Sequence, residues 1–300
     1  MDGPTLLSPP APAIADAAAH AGAGLLQLHR LRGRTRVTRS LARSPLKLLA
    51  PDTHAPTAAV YVTTFGGGLV AGDHIHLDLD AGQHTTTFLT TQSATKIYRA
   101  PSEVPARQTL AAHVADHALL VAWPDPLIAF ARARYEQRQT FDLAPTASLA
   151  LVDCQTAGRL ARQERWAFAR YRSQNAIHVA GRPVVNDTLL LDEDDAPLDH
   201  PFRTGRFNAL ATVILVGPLL QPLIETIQAT LGAESAGADS SRRDAHPPQR
   251  PAFLQTINPI RNGLLVRCAA EDPRALTQHL RRTLDPLTLL LAQDPWSRKW

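Results

Sequence analysis

A run of three glycines, followed by strict alternation of polar and apolar residues, constrains the fold of this chain more than any other feature. Gly66, Gly67 and Gly68 permit backbone conformations closed to other residues, so the chain turns sharply there or another segment approaches closely. Every second residue of 74–80 is apolar, which predicts a half-buried strand. Residues 81 and 82 predict a turn into a second strand and hence a β-hairpin. No helix is predicted after the glycines.

The missing helix argues against two kinds of nucleotide site. Residues 66–71 have the spacing of a dinucleotide-binding fingerprint, but that fingerprint requires a helix N-terminus to hold the pyrophosphate. Gly67 and Gly72 have the spacing of a phosphate loop, yet Asp73 replaces the lysine and its carboxylate would repel phosphate. A small-molecule or dinucleotide-binding protein built on Gly66–Gly68 remains the alternative function, and a helix after Gly68 would favour it.

Two blocks, Gly67–Asp73 and Thr90–Arg99, resemble the urease accessory protein D family, called UreD or UreH, the scaffold in nickel delivery to urease. Gly67–Asp73 is similar to the family pattern Gly-Gly-hydrophobic-Val-Gly-Gly-Asp, with Ala71 at one glycine position. Thr90–Arg99 matches Thr-Thr-x-x-Ala-Thr-Lys-x-Tyr-Arg without a gap. The second block is specific because its ten positions align without a gap and all seven specified residues agree.

The resemblance continues downstream, over about residues 25–217 in good register. Similar blocks are Trp123–Phe130, Gly158–Glu164, Tyr171–Asn175 and Asp187–Leu191, and the last two are closer to plant and fungal members. Gln163 stands where the family has a glycine before Glu164, and Asp125-Pro126 replaces a more usual Gln-Glu pair.

The resemblance implies a mainly β fold, a layered and β-helix-like scaffold of many strands with two late helices. It also implies a chaperone of urease maturation, not an enzyme, that binds UreF and UreG and docks on apo-urease. Nickel(II) would pass through transiently, with no tightly bound cofactor. The sequence agrees in lacking G-x-S-x-G, H-E-x-x-H and zinc-type cysteine pairs.

Polar residues at strand ends are the candidates for lining a nickel passage, which the family implies. They are Asp73, Thr90, Thr91, Lys96, Arg99 and Glu164, with Gly66, Gly67, Gly68 and Gly72 as a structural corner. Asp73 and Glu164 are the carboxylates predicted to bind the metal weakly, because oxygen ligands exchange easily. Turn chemistry is the competing interpretation of all six. His74 and His76 are a less favoured metal pair, since alternating strands commonly expose such residues to solvent.

Patterning predicts one domain over residues 25–300, preceded by a disordered Ala/Pro-rich tail at 1–24. Short alternating runs predict strands up to about residue 217, including one at 166–168. Helices are predicted at 221–231 and after Asp272, which precedes Pro273. Residues 232–252 are rich in small and polar residues and predict a flexible insertion.

Composition and charge limit the partners. The chain has 31 Lys and Arg against 27 Asp and Glu, with few aromatic residues interleaved, so nucleic-acid binding is not predicted. No apolar run is long enough for a membrane span, and two cysteines without a disulfide framework suggest a cytoplasmic protein. The one basic cluster is the hairpin at 30–36. It is interpreted as a solvated face, with contact to an acidic protein as the alternative.

Overall fold

The computed structural model describes residues 20–52, 55–240 and 251–297, and it describes the side chains of all of them except 231–240. In these ranges the first nine strands are Ala23–Leu31 (β1), Arg34–Ala42 (β2), Leu46–Leu49 (β3), Ala58–Thr64 (β4), Gly68–Leu69 (β5), His74–Ala81 (β6), Thr86–Thr91 (β7), Lys96–Ile97 (β8) and Ala106–Val114 (β9). The other nine are Leu119–Ala122 (β10), Leu127–Ala129 (β11), Arg134–Leu143 (β12), Ser148–Thr156 (β13), Arg170–Val179 (β14), Arg182–Asp192 (β15), Ala209–Val216 (β16), Phe253–Ile260 (β17) and Gly263–Ala270 (β18). The α-helices are Gln221–Ser240 (α1), Pro273–Thr283 (α2) and Leu287–Leu291 (α3).

The strands form two facing layers. Sheet A has the order β15-β14-β12-β9-β6-β1-β2, and the main path of sheet B is β17-β18-β16-β13-β10-β7-β4-β3. Successive coils of the chain add one strand to each layer, so β6, β9, β12 and β14 stack in parallel opposite β7, β10 and β13. The short strands β5, β8 and β11 form a third parallel row. The predicted mainly β, β-helix-like architecture is confirmed.

The predicted hairpin between residues 74–80 and the following strand is wrong. β6 pairs with β1 and β9 in sheet A, whereas β7 pairs with β4 and β10 in sheet B. The turn at 81–85 therefore carries the chain from one layer to the other. Five consecutive residues of β7 are buried because sheet B is covered on both faces, which the alternation of β6 could not indicate.

Apolar side chains fill the space on both sides of sheet B. One set lies between the layers and includes Leu77, Phe141 and Ile177. A second set packs the outer face of sheet B against α1, α2 and α3. There, the ring of Trp296 makes edge contacts with those of Phe88, at 5.8 Å, and Trp123, at 4.6 Å.

Several predicted boundaries change. The helix predicted at 221–231 continues to Ser240, so residues 232–240 of the predicted insertion are helical, while 241–250 lie outside the described residues. A third short helix, α3, follows the two that were predicted. The predicted strand at 166–168 is a turn, where Trp166 has a φ of +51° and its indole donates to the Phe207 carbonyl. β1 begins at Ala23, inside the predicted tail, and residues 1–19 are not described.

None of the helices in the described part of the chain has the length and apolar character that crossing a bilayer requires.

Candidate functional site

The glycine corner is a sharp bend without a following helix. Gly66 and Gly67 have φ values of +83° and +70°, which favour glycine. Gly68 instead lies against its neighbour strand, and a Cβ there would be 2.4 Å from the Lys96 carbonyl oxygen. The hydroxyl of Tyr98 donates to the Gly66 carbonyl at 3.1 Å. The corner thus holds β5 against β8, and no nucleotide-binding helix follows it, since α1 is the first α-helix in the described residues.

Asp73 closes the turn that follows this corner. Its carboxylate accepts a hydrogen bond from the Val70 amide at 2.8 Å, and its own amide donates to the Val70 carbonyl at 3.0 Å. Its carbonyl accepts from the Arg107 amide, which joins the turn to β9. This geometry corresponds to the competing interpretation of Asp73 as a turn residue.

Glu164 fastens a different turn. Its carboxylate forms a two-point ion pair with Arg159, one contact being Nε to Oε2 at 2.7 Å, and accepts from the Ala131 amide at 3.1 Å. Hydrogen bonding from Arg159 lowers the pKa of Glu164 from its ordinary value. Gln163 has a φ of +61°, a left-handed conformation that accounts for the glycine of the family pattern at this position. In the described residues no hydrogen bond or ion pair connects Glu164 to Asp73.

Glu164→Gln is expected to lower stability at neutral pH by about 1 kcal/mol, because it removes the charge that Arg159 contacts. A lowered folded-state pKa means that this stabilisation is present above the unfolded value, about 4.3, and is lost as the pH falls through the folded-state pKa. The Tm difference from wild type should therefore shrink in acid. Glu103→Gln, at an exposed position, is the control and should leave Tm unchanged. An equal Tm deficit at pH 7 and in acid would contradict this assignment.

The other candidate residues divide into buried and exposed ones. Thr90 donates to the Trp123 carbonyl at 2.7 Å, and Thr91 exchanges hydrogen bonds with the Asp125 carboxylate and amide at 3.0 and 2.8 Å. Both threonines are buried. Lys96 and Arg99 are exposed. The six predicted lining residues therefore do not share one environment.

A belt of buried and half-buried polar side chains lies between the two sheets, and the sequence patterns did not indicate it. The Tyr135 hydroxyl donates to Gln108 at 3.3 Å and to Gln137 at 3.1 Å. Gln137 donates to the Ser173 hydroxyl at 3.0 Å, and that hydroxyl donates to the Asp153 carboxylate at 2.5 Å. Gln139 donates to Asn175 at 2.9 Å, and the Asn175 amide donates to the Asp153 carboxylate at 3.3 Å. We call the following set the interior belt: Gln108, Tyr135, Gln137, Gln139, Asp153, Gln155, Ser173 and Asn175.

Two small cavities adjoin one end of the interior belt. One, of about 40 Å³, lies between the sheets and is lined by Thr90, Thr91, Gln108 and Gln139 among others. The second, of about 20 Å³, extends towards Gly67 and the loop at 93–95. They share Val62, Ile75, Thr91 and Gln108 in their linings. The first has room for at least one water molecule.

The other end of the belt lies near a larger cleft. This cleft, of about 330 Å³, is bordered by β15, β16, β17 and β18, and its lining includes Asp187 and Arg267, which form an ion pair. Asn175 is the register partner of Asp187 in sheet A. Polar residues therefore lie at both ends of the belt, at the two small cavities and beside this cleft.

Asp153 is the carboxylate at the centre of the belt. Burial raises its pKa, against the lowering effect of hydrogen bonds from Ser173, Asn175 and Gln137. Burial, with Asp153 nearby, also raises the pKa values of Tyr135 and Tyr171 far above their usual range. Gln155 follows Asp153 on the same strand face and is 2% exposed, and neither of its amide atoms has a hydrogen-bond partner among the described residues. A buried amide without partners is a place for water or another small polar guest.

The histidine face of β6 is a solvated surface network. His76 contacts Asp78 at 3.0 Å, and His74 contacts the Thr109 hydroxyl at 3.1 Å. The pKa of His74 is lowered by burial first, and then by His76 and Arg107. In the described part of the chain, no group of three or more His, Cys, Asp or Glu side chains is arranged to hold a metal ion.

Both cysteines are buried and chemically quiet. Burial raises the pKa of Cys154 far above its usual range and that of Cys268 to about 12. A thiol at such a pKa carries almost no thiolate near neutral pH and is a poor metal ligand. The interior belt thus offers only oxygen and amide donors with one carboxylate, a set that would hold a divalent cation weakly.

Comparison with known proteins points to a single family. The family model described as UreD urease accessory protein matches residues 20–300. A Urease accessory protein UreD of Sorangium cellulosum is 43% identical over 285 residues, covering 94% of this chain and 86% of that protein. A Urease accessory protein D of Oryza sativa subsp. indica is 33% identical over 297 residues, covering 93% and 97%. An uncharacterized ureD-like protein of Schizosaccharomyces pombe is 28% identical, covering 88% and 93%. The chain therefore belongs to the UreD urease accessory protein family.

Proposed function

We propose that this chain is a non-enzymatic urease maturation factor, a scaffold that binds UreF and UreG and docks on apo-urease to guide nickel towards its active site. Family membership supports a role in urease maturation. We place this activity in the cytoplasm, with nickel(II) as a transient cargo and no tightly bound cofactor. The nucleotide-binding alternative lacks the helix that it requires after Gly68.

The interior belt is the feature on which the proposed nickel route depends. We assign Thr90 and Thr91 to the entrance side, where the two cavities meet, and Asp153 to the middle. Hydroxyl, amide and single carboxylate oxygens exchange Ni(II) quickly, whereas thiolates or several imidazoles would retain it. Lys96 and Arg99 belong outside this route because their side chains are exposed.

Asp73 and Glu164 take a supporting role in this proposal. Each carboxylate is engaged by main-chain amides at a turn, and Glu164 is also paired with Arg159. These contacts tie the two carboxylates to turns, and neither residue belongs to the interior belt. We therefore assign the weak metal contact to Asp153 in place of these two residues.

Asp153→Asn is expected to reduce urease activation by about tenfold, since it removes the one negative charge of the belt while keeping its size and hydrogen bonds. The measurement is urease activity in cells that express apo-urease, UreF, UreG and each variant of this chain. Complex formation with UreF, checked by co-purification, should be unchanged.

The matched control is the double variant His74→Ala with His76→Ala, on the solvated face of β6. It should leave activation within about twofold of wild type, because neither imidazole belongs to the belt. Normal activation by Asp153→Asn together with failure of the double variant would move the nickel contact to the histidine face. Failure of the wild-type chain to support activation or to bind UreF would reject the maturation role itself.

A further inference from the structure

The positive charge of this chain is concentrated on the β1–β2 hairpin and the segment after it. Residues 20–52 contain seven of the Lys and Arg residues but only one acidic residue, Asp52, whereas residues 53–300 carry equal numbers of basic and acidic residues. The excess charge of the described chain therefore lies at one edge of sheet A, where β2 is the last strand.

The arginines of this segment have almost no acidic partners. Elsewhere in the described residues some arginines pair with carboxylates, as Arg107 does with Glu136 and Arg170 with Asp192, and the unpaired ones do not form such a dense run. On the hairpin, only Arg36 forms an ion pair among the described residues, with Asp52. The remaining exposed arginines there have no carboxylate contact in the described structure: Arg30, Arg32, Arg34, Arg39 and Arg43. Their charge is available to an external anion.

The edge itself is open along part of β2. Residues 38–42 are all exposed, although a strand inside a sheet normally buries at least alternate residues. The other end of the strand is covered, since the Thr35 amide donates to the Pro56 carbonyl at 2.8 Å. An open edge leaves backbone donors and acceptors that another strand can pair with.

The composition of this segment argues against two kinds of partner, a second copy of β2 and a nucleic acid. Two copies of β2 placed edge to edge would bring one arginine-rich strand against another, and like charges opposite each other across a strand pair are destabilising. A nucleic acid fits poorly because residues 20–52 contain no Phe, Tyr or Trp on which a base could stack. An extended polypeptide with carboxylates satisfies both the charges and the backbone groups.

We propose that the open β2 edge binds an acidic extended segment of a partner protein. The edge comprises residues 38–42, which include Arg39, and it is flanked along the chain by Arg34 and Arg43. This surface lies apart from the interior belt and does not depend on the nickel route. Ion pairing to arginine gives specificity and association rate, while strand pairing gives the register.

The test uses a labelled peptide of alternating Glu and Val, as long as the 9 residues of β2, in fluorescence anisotropy with the full chain. The triple variant Arg34→Glu, Arg39→Glu, Arg43→Glu should weaken binding by at least about tenfold. The control Arg138→Glu, Arg261→Glu, Arg274→Glu changes three other exposed arginines that have no ion pair within the described part of the chain. Its peptide affinity should stay within about twofold of wild type. Bound peptide should slow hydrogen exchange at residues 38–42.

Equal losses of peptide affinity in both triple variants would show that binding depends only on net charge, and this would overturn the proposal. It would also be overturned by tighter binding of a single-stranded oligonucleotide than of the peptide, or by salt-sensitive self-association lost in the β2 variant alone. If charge reversal lowers the Tm of the β2 variant below that of the control, the variant Arg34→Gln, Arg39→Gln, Arg43→Gln takes its place. Unchanged peptide affinity in this second variant would reject the site.

Discussion

Gly68→Val is expected to remove most of the folded protein, with a loss of stability of about 3 kcal/mol or more. A Cβ at Gly68 would lie 2.4 Å from the Lys96 carbonyl oxygen and 2.8 Å from the Tyr98 ring. The carbonyl is main chain in the third strand row and cannot rotate away. The branched valine would therefore separate β5 from β8. Soluble yield and urea unfolding, with and without UreF, measure the effect.

Gly67→Ala is the matched control, one residue away. Nothing lies within 4 Å of a Cβ built at Gly67, so only its positive φ, +70°, is strained. That strain costs about 1 kcal/mol, and the variant should fold. If Gly68→Val were as stable as Gly67→Ala, close approach of the Lys96 backbone would not be the reason for a glycine at position 68.

Asp153→Asn is expected to make the protein more stable at neutral pH, by about 1–2 kcal/mol, while impairing nickel transfer. The folded-state pKa of Asp153 is raised by burial, so the folded protein holds its proton more tightly than the unfolded chain does. Stability then falls as the pH rises from about 4, the unfolded value, through the folded-state pKa. Asparagine has no such proton to lose, so the Tm of the Asp153→Asn variant should change less than that of wild type over this pH range.

Asp187→Asn provides the opposite control, because Asp187 is 7% exposed but paired with Arg267. Removing a paired charge should lower stability, since it leaves the arginine without its carboxylate. The measurement is Tm between about pH 4 and 8 for both variants. If Asp153→Asn instead lowered stability at neutral pH, the carboxylate would be stabilised by favourable charge interactions, and its burial would not be unfavourable.

The sequence patterns predicted one layer of this fold better than the other. Residues 74–80 alternate because β6 has one face in the core and one in solvent. β7, β10 and β13 carry no such signal, because sheet B is covered on both faces. The sequence of a strand that is buried on both faces does not show which sheet the strand joins. The pattern therefore predicts a hairpin at 81–85, where the chain crosses between the layers.

The interior belt was hard to predict from the sequence for a related reason. Asp73 and Glu164 stand out because polar residues at turns are conspicuous, but turns are where carboxylates cap backbone amides. The interior belt is inconspicuous because β12 has polar residues on both faces: Gln137 points inward and Arg138 outward. One signal was available in the sequence. Every second residue of β12 lies on the same face, so Gln137 and Gln139 share the buried face of the apolar Tyr135 and Phe141.

The contacts of the C-terminal helical segment with early strands affect how this protein can be made in the cell. The Thr57 hydroxyl donates to the Leu291 carbonyl, 234 residues later in the chain, and Trp296 packs on Phe88 and Trp123. During synthesis, the coils can stack as they emerge, but the outer face of sheet B stays uncovered until these late residues leave the ribosome. The nascent chain thus spends most of its synthesis time with one apolar layer exposed, a period in which chaperones or proteases can bind it.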